Sequence, residues 1–275
     1  MPTTFVAIFI EYAVRVLPWF LIGVLAAYLV ERRVSPRDVS RFLGSFRPRR
    51  ILASFALGMV SPLSIMPQLP VSGSLVRLGA HPALLLGFLA AERSYDFQSF
   101  PIISGFFGLR FAVLNALAIY LALLAAILVL ARTRVKFRAV NRREGTNGFW
   151  YRQVRLGAVV LIGLAVAATA RTAIPEELFR GIAQTELGGL ATALVAGFSL
   201  YFGTILGNYP VAKALADLGM SQTGIFTFLT VSPLFNAVVL TLFVSAAHWR
   251  QVFRFFTAYT MVALLLSVII GTFLL

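Results

Sequence analysis

The chain has 275 residues, 59% of them hydrophobic, with 25 Phe and a mean hydropathy of +0.88. Only 12% are charged, about half the share usual in soluble domains, which excludes a soluble globular domain. There is no cysteine, so disulfides, thiolate metal sites and cysteine nucleophiles are excluded as well.

The net charge of +14 invites a nucleic-acid reading. The basic residues, however, sit in loops between apolar segments, as cytoplasmic loops of membrane proteins do. Anionic lipid headgroups are therefore the expected partner, and nucleic acid is not. The apolar runs are continuous rather than alternating, which favours helices over a closed barrel. At about 20 apolar residues per span, the chain could supply roughly eight to ten membrane segments. The start, MPTTFVAIFIEYAVR, has no basic n-region, so a cleaved signal is not expected.

Residues 4–30 read as a first span, with Glu11 and Arg15 four apart on one face. Residues 31–50 hold seven Arg. Within them Ser35-Pro36 opens a short helix, the serine as cap and the proline in the first turn. Residues 51–66 are apolar but short, and Pro67 and Pro70 end them. A half-helix follows over 71–79. The stretch 82–107 opens at His81-Pro82 and is interrupted by Glu92, Arg93 and Asp96. Residues 109–132 form a clean span, and residues 132–155 a second basic loop with eight Lys or Arg.

The plan then repeats. Residues 154–173 are a span, and Pro175 opens a short helix. The apolar stretch 189–206 is broken by Gly207, Asn208 and Pro210. A second half-helix over 211–219 carries Lys213 and Asp217 four apart. The stretch 221–243 is interrupted at Ser232-Pro233 and Asn236, and 251–275 is the last span. With a shift of 140, Pro70, Leu75, Gly79 and Phe88 fall on Pro210, Leu215, Gly219 and Phe228, and Asp96 falls on Asn236. The halves divide as 1–143 and 144–275.

Charge sets the topology. Both basic loops should be cytoplasmic by the positive-inside rule, so an even number of crossings separates them. The three obvious segments between them are odd in number. A broken element that re-enters and leaves by one side, or half-helices that add a crossing, restores the parity. The spans at 4–30 and 154–173 then run in opposite directions. The expected fold class is all-α: a polytopic transmembrane bundle of two inverted repeats with broken or re-entrant helices, in the cell (cytoplasmic, or inner) membrane.

Nearly the whole chain resembles the permeases of the ArsP/YraQ type, which include organoarsenical efflux proteins. Pro62-Leu63 and the run Ser64-Ile65-Met66-Pro67-Gln68-Leu69-Pro70 resemble that family's signature P-L-C-S-C-G-x-x-P. Residues 204–210, TILGNYP, resemble its second copy. Glu92 to Asp96 and Ser232 to Asn236 resemble the family's G-P-x-T-N break. Ser64 and Met66 stand where the signature has cysteines, so thiol-based arsenical transport is not implied. The resemblance implies the fold and a permease activity, and leaves the solute open.

Two copies of a broken, polar, intramembrane element are the sequence pointer to a transport site near the midplane. The candidate solute-binding residues are Ser64, Pro67, Gln68, Pro70 and Ser72 around the first break. Around the second they are Thr204, Gly207, Asn208, Pro210, Lys213, Ser232 and Asn236. Half-helix N-termini there could hold an anion. Glu92, Arg93 and Asp96 are candidates for proton or ion coupling, because ionisable residues at membrane depth are expensive. The bland alternatives are small polar residues that let helices approach closely and an internal ion pair. Enzyme motifs are weak. EELFRG at 176–181 has one residue too few for the E-E-x-x-x-R of intramembrane CAAX-type proteases, and His81 and His248 both lie at segment ends. No catalytic residue, metal or cofactor is expected. The reading is a permease for a small polar or anionic solute. The alternative is a non-transporting membrane subunit that packs against other subunits or further copies of the chain.

Overall fold

The computed structural model describes residues 4–61, 72–130, 135–137, 148–200 and 205–275. Among them there is no strand, only one isolated bridge between Phe137 and Ala247. In chain order the helices are α1 (Phe5–Arg33), α2 (Pro36–Phe42), α3 (Pro48–Met59), α4 (residues 72–77), α5 (Pro82–Ser94), α6 (Ser99–Phe107) and α7 (Leu109–Leu130). There follow α8 (Phe149–Ala173), α9 (Glu176–Ala183), α10 (Glu186–Ser199), α11 (Asn208–Asp217), α12 (Gln222–Val231), α13 (Ala237–Ala246) and α14 (Trp249–Phe273). Four of them, α1, α7, α8 and α14, are long and apolar enough to cross a membrane. Their outward faces carry exposed Leu21, Ile22 and Leu25, Leu128, Val154 and Ile162, and Met261 and Leu265. An apolar belt of that extent marks a membrane protein. The composition suggested eight to ten spans. The remaining described helices have 14 residues or fewer, too short to cross alone.

The starts of α2, α5 and α7 at 36, 82 and 109 recur at 176, 222 and 249 in α9, α12 and α14, each 140 residues on. Local bonding recurs in the same register. Gly79 and Gly219 both have positive φ, at 107° and 95°, where a glycine escapes the Cβ penalty. Each ends its helix in a Schellman turn: Ala80 N bonds Leu75 O at 3.0 Å, and Met220 N bonds Leu215 O at 3.1 Å. The next link recurs too. The His81 amide donates to Leu43 O at 2.8 Å, and the Ser221 amide to Ala183 O at 3.0 Å. Each ties the turn to the end of the short helix before it, α2 or α9. That short helix starts in α2 from a full capping box, in which Ser35 Oγ accepts from the Asp38 amide and Asp38 accepts from Ser35.

Relative directions follow from which ends meet. Glu31, late in α1, pairs with Arg152, early in α8, at 2.8 Å, while Phe20 packs at Gly157. These two helices are antiparallel. The residues following α7 meet the start of α14, since the His248 amide donates to Lys136 O at 3.1 Å and Lys136 N to Gln251 Oε1 at 2.9 Å. With their bodies packed together, α7 and α14 are antiparallel too. By contrast α3 runs parallel to α5, with Phe55 at Gly87 and Gly58 at Ala91. Likewise α10 runs parallel to α12, with Gly189 at Ser221 and Gly197 at Ser232.

Some boundaries differ from the sequence reading. The second half-helix starts at Asn208, not 211, and Pro210 sits in its first turn. A proline there removes an N–H that has no intrahelical partner anyway. The stretch 189–206 is helical only as far as Ser199 within the described residues, and a 3-10 turn follows at Ile205–Gly207.

Candidate functional site: the junction of the broken helices

The interruption expected at 92–96 falls at the end of α5, and the gap between α5 and α6 is residues 95–98. Glu92 and Arg93, 6% and 5% exposed, lie in the last turn of α5. Arg93 interacts electrostatically with Glu92, Asp96 and Tyr209. As a cation in the last turn it also complements the helix dipole. Asp96 caps the next helix: its Oδ1 accepts from the Ser99 amide at 2.9 Å and from the Ser99 hydroxyl at 2.7 Å. Asn236 does the same job in the second half, its Oδ1 accepting from the Val239 amide at 2.8 Å. The two caps match 140 residues apart, one with a carboxylate and one with an amide. Asn236 Nδ2 in addition donates to Ser232 O at 2.8 Å. The Ser232 hydroxyl bonds back to Phe228 O at 2.5 Å. Both residues thus have local structural work.

The second-half break at 207–209 meets the α5–α6 gap of the first half, while its own counterpart at 67–70 lies outside the described residues. The Tyr209 hydroxyl, in the first turn of α11, bonds the Ser99 hydroxyl in the first turn of α6. Tyr209 is 1% exposed and Ser99 is fully buried. Gly207, just before α11, lies against Gly163 of α8; a Cβ on Gly163 would sit 2.7 Å from the Gly207 Cα. On the other side Gln98 fills the space at Gly23 of α1 and donates to Phe20 O at 3.2 Å. Asn208 is 2% exposed and its Oδ1 has no partner among the described residues. Neither N-cap residue, Gln98 of α6 or Gly207 of α11, caps its helix through its side chain, but the first amide of α6, that of Ser99, is held by Asp96.

Of the sequence candidates, Gly207, Asn208 and Pro210 come together with Arg93 and Asp96 through the Tyr209–Ser99 contact. Lys213 does not take part: it pairs with Asp217, whose Oδ2 accepts from the Tyr12 hydroxyl at 2.9 Å. Ser72 is buried at the start of α4. Ser64, Pro67, Gln68, Pro70 and Thr204 lie outside the described residues. The pair Glu11–Arg15 forms at 3.4 Å near the surface, and Arg15 also donates to Gly105 O at 3.1 Å.

Sequence reasoning missed a second polar link. Asn115, fully buried in α7, donates from Nδ2 to Thr230 Oγ1 of α12 at 2.9 Å. Tyr259 of α14 donates to Thr230 O at 2.6 Å. A lone amide in a 22-residue apolar span was the available signal, since polar groups at that depth are costly. Comparison with protein-family models, with curated proteins and with solved structures gives no match.

Proposed function

We propose that the chain is a multi-pass permease of the cell membrane, moving a small polar or anionic solute past the junction of two inverted repeats. The observation that carries this reading is the Tyr209–Ser99 contact, which joins the broken helix of one half to that of the other in a buried setting. Broken helices meeting at a repeat interface are the setting in which transporters hold solutes and coupling ions. The antiparallel pairs α1/α8 and α7/α14 support the inversion. The parallel run of α3 and α5, followed by the return of the chain to Leu43 at His81, supports a hairpin that enters and leaves by one side. That hairpin leaves two crossings, α5–α6 and α7, between the basic loops, so both can be cytoplasmic. The Glu31–Arg152 pair joins the edges of those loops directly.

The α6 N-terminus is occupied by the protein's own Asp96, so the uncapped α11 N-terminus beside Asn208 is the better anion end. Asp96 with Arg93 is the candidate coupling element. Likeness to the ArsP/YraQ permeases agrees with this reading, although Ser64 and Met66 replace the cysteines and argue against a thiophilic solute.

The test is flux in proteoliposomes against a solute panel. Asp96→Asn isolates charge from capping, because Asn236 caps with an amide in the same geometry. Flux should fall at least tenfold in Asp96→Asn and in Asn208→Ala. Unchanged flux in both would remove the site. One observation favours the second reading, a non-transporting subunit: Tyr209 and Phe88 are packed at 1% and 7% exposure. That reading requires stable co-purifying subunits and no flux for any solute.

A further inference from the structure

The Asn115–Thr230 link leaves an oxygen with nothing to bond. Thr230 Oγ1 spends its one proton on Phe226 O at 2.7 Å, so toward Asn115 it can only accept. The Asn115 amide nitrogen must therefore face Thr230, and Oδ1 faces elsewhere as a bare acceptor, fully buried and unpartnered. The hydroxyls of Thr223 and Thr227 on α12 and of Ser267 on α14 are also buried and unpartnered among the described residues.

The register of α7, α12 and α14 sets these atoms at neighbouring levels of one three-helix packing. Phe111 stacks edge-on against Phe226 and Asn115 bonds Thr230, so α7 and α12 run parallel in register at this level. Thr227 lies between those two contacts. On the other side Gly271 presses on Thr223, and Tyr259 reaches Thr230, so α12 and α14 are antiparallel. One turn inward from the Gly271–Thr223 contact, Ser267 comes level with Thr227. At 1.5 Å rise per residue, Thr227, Ser267 and Asn115 fall within about one turn of each other along the bundle.

We infer that α7, α12 and α14 build a binding site for one dehydrated sodium ion. Its protein ligands are Asn115 Oδ1, Thr227 Oγ1 and Ser267 Oγ, while Thr223 Oγ1 packs against Gly271. All are neutral hard oxygens, the donors that an alkali cation takes in place of water. No carboxylate lies among them, so a divalent ion would not be repaid for its lost hydration. Binding stands on this geometry alone; any coupling of sodium to flux rests on the permease reading.

The experiment uses the full chain in nanodiscs, with NaCl exchanged against choline chloride at constant ionic strength. Wild type should bind about one ²²Na⁺ per chain, and its Tm should climb with the logarithm of sodium above Kd, as ligand linkage requires. Potassium should be at least tenfold weaker. Thr227→Val and Ser267→Ala keep shape and lose one oxygen each; each should weaken sodium at least tenfold while the Tm in choline stays close to wild type. Asn115→Leu should abolish binding. If Asn115→Leu does not fold, the two isosteric variants still decide. A site that holds only water gives no sodium-specific response, and that result overturns the assignment. So does a response unchanged in both isosteric variants. Because binding is read without flux, failure here is separable from failure of the permease reading.

Discussion

The approach of α8 to the second break rests on one missing methyl group. A Cβ at Gly163 would stand 2.7 Å from the Gly207 Cα, 3.1 Å from its oxygen and 3.3 Å from its carbonyl carbon. Those are backbone atoms, which no rotamer change can move aside. The intrusion is about 0.7 Å inside ordinary contact, so Gly163→Ala should cost about 1–3 kcal/mol through overpacking. Gly181 in α9 has nothing within 4 Å of its Cβ position. Gly181→Ala should gain up to about 1 kcal/mol from helix propensity alone. For a chain of this size each kcal/mol moves Tm by roughly 2–4 °C. Thermal unfolding of the purified variants should therefore place Gly163→Ala below wild type and Gly181→Ala at or above it. If Gly163→Ala proves as stable as Gly181→Ala, α8 does not touch the break, and the geometry of the junction is wrong.

Two further outcomes are expected. Ser35→Ala removes the α2 cap and should raise amide exchange across α2 about fivefold, measured by hydrogen–deuterium exchange. The Ser35 hydrogen bonds hold Asp38 below the usual carboxylate range. Its contribution is thus complete above that range and is lost as pH falls through the lowered pKa, so wild-type exchange should approach that of the variant only in strong acid. For Glu31–Arg152, with each side chain about one-third exposed, a double-mutant cycle should give only about 0.2–1 kcal/mol. Arg152→Glu should destabilise, and Glu31→Arg added to it should recover most of the loss. A cycle with zero coupling would remove the contact between the two basic loops.

Local chemistry carried most of what was legible in advance. Ser35-Pro36 announces its helix, Lys213 and Asp217 meet because they are four apart, and charge and proline mark breaks near 92–96 and 232–236, although the first gap opens only at 95–98, after Glu92 and Arg93. The 140-residue offset was visible in a few identities, and it extends to glycine dihedrals and to single main-chain bonds. The number of spans was not legible. Two half-length helices have the composition of one whole span, so counting apolar residues cannot tell a crossing from a hairpin. The start of α11 was misjudged because Pro210 reads as a breaker, yet the first turn of a helix tolerates it. The Tyr209–Ser99 and Asn115–Thr230 contacts span 110 and 115 residues. No periodicity encodes such pairs; they exist only once the halves are packed.

The main-chain bonds from His81 to Leu43 and from Ser221 to Ala183 bring a mechanical consequence. Each fastens the foot of a buried segment to a short helix with exposed residues, α2 or α9, one on either side if the halves are inverted. Neither segment can shift along the bundle without dragging its surface helix or snapping the tether. A probe on solvent-exposed Arg37 or Glu177 would then act as a dial on the outside of the molecule, registering displacements deep within it.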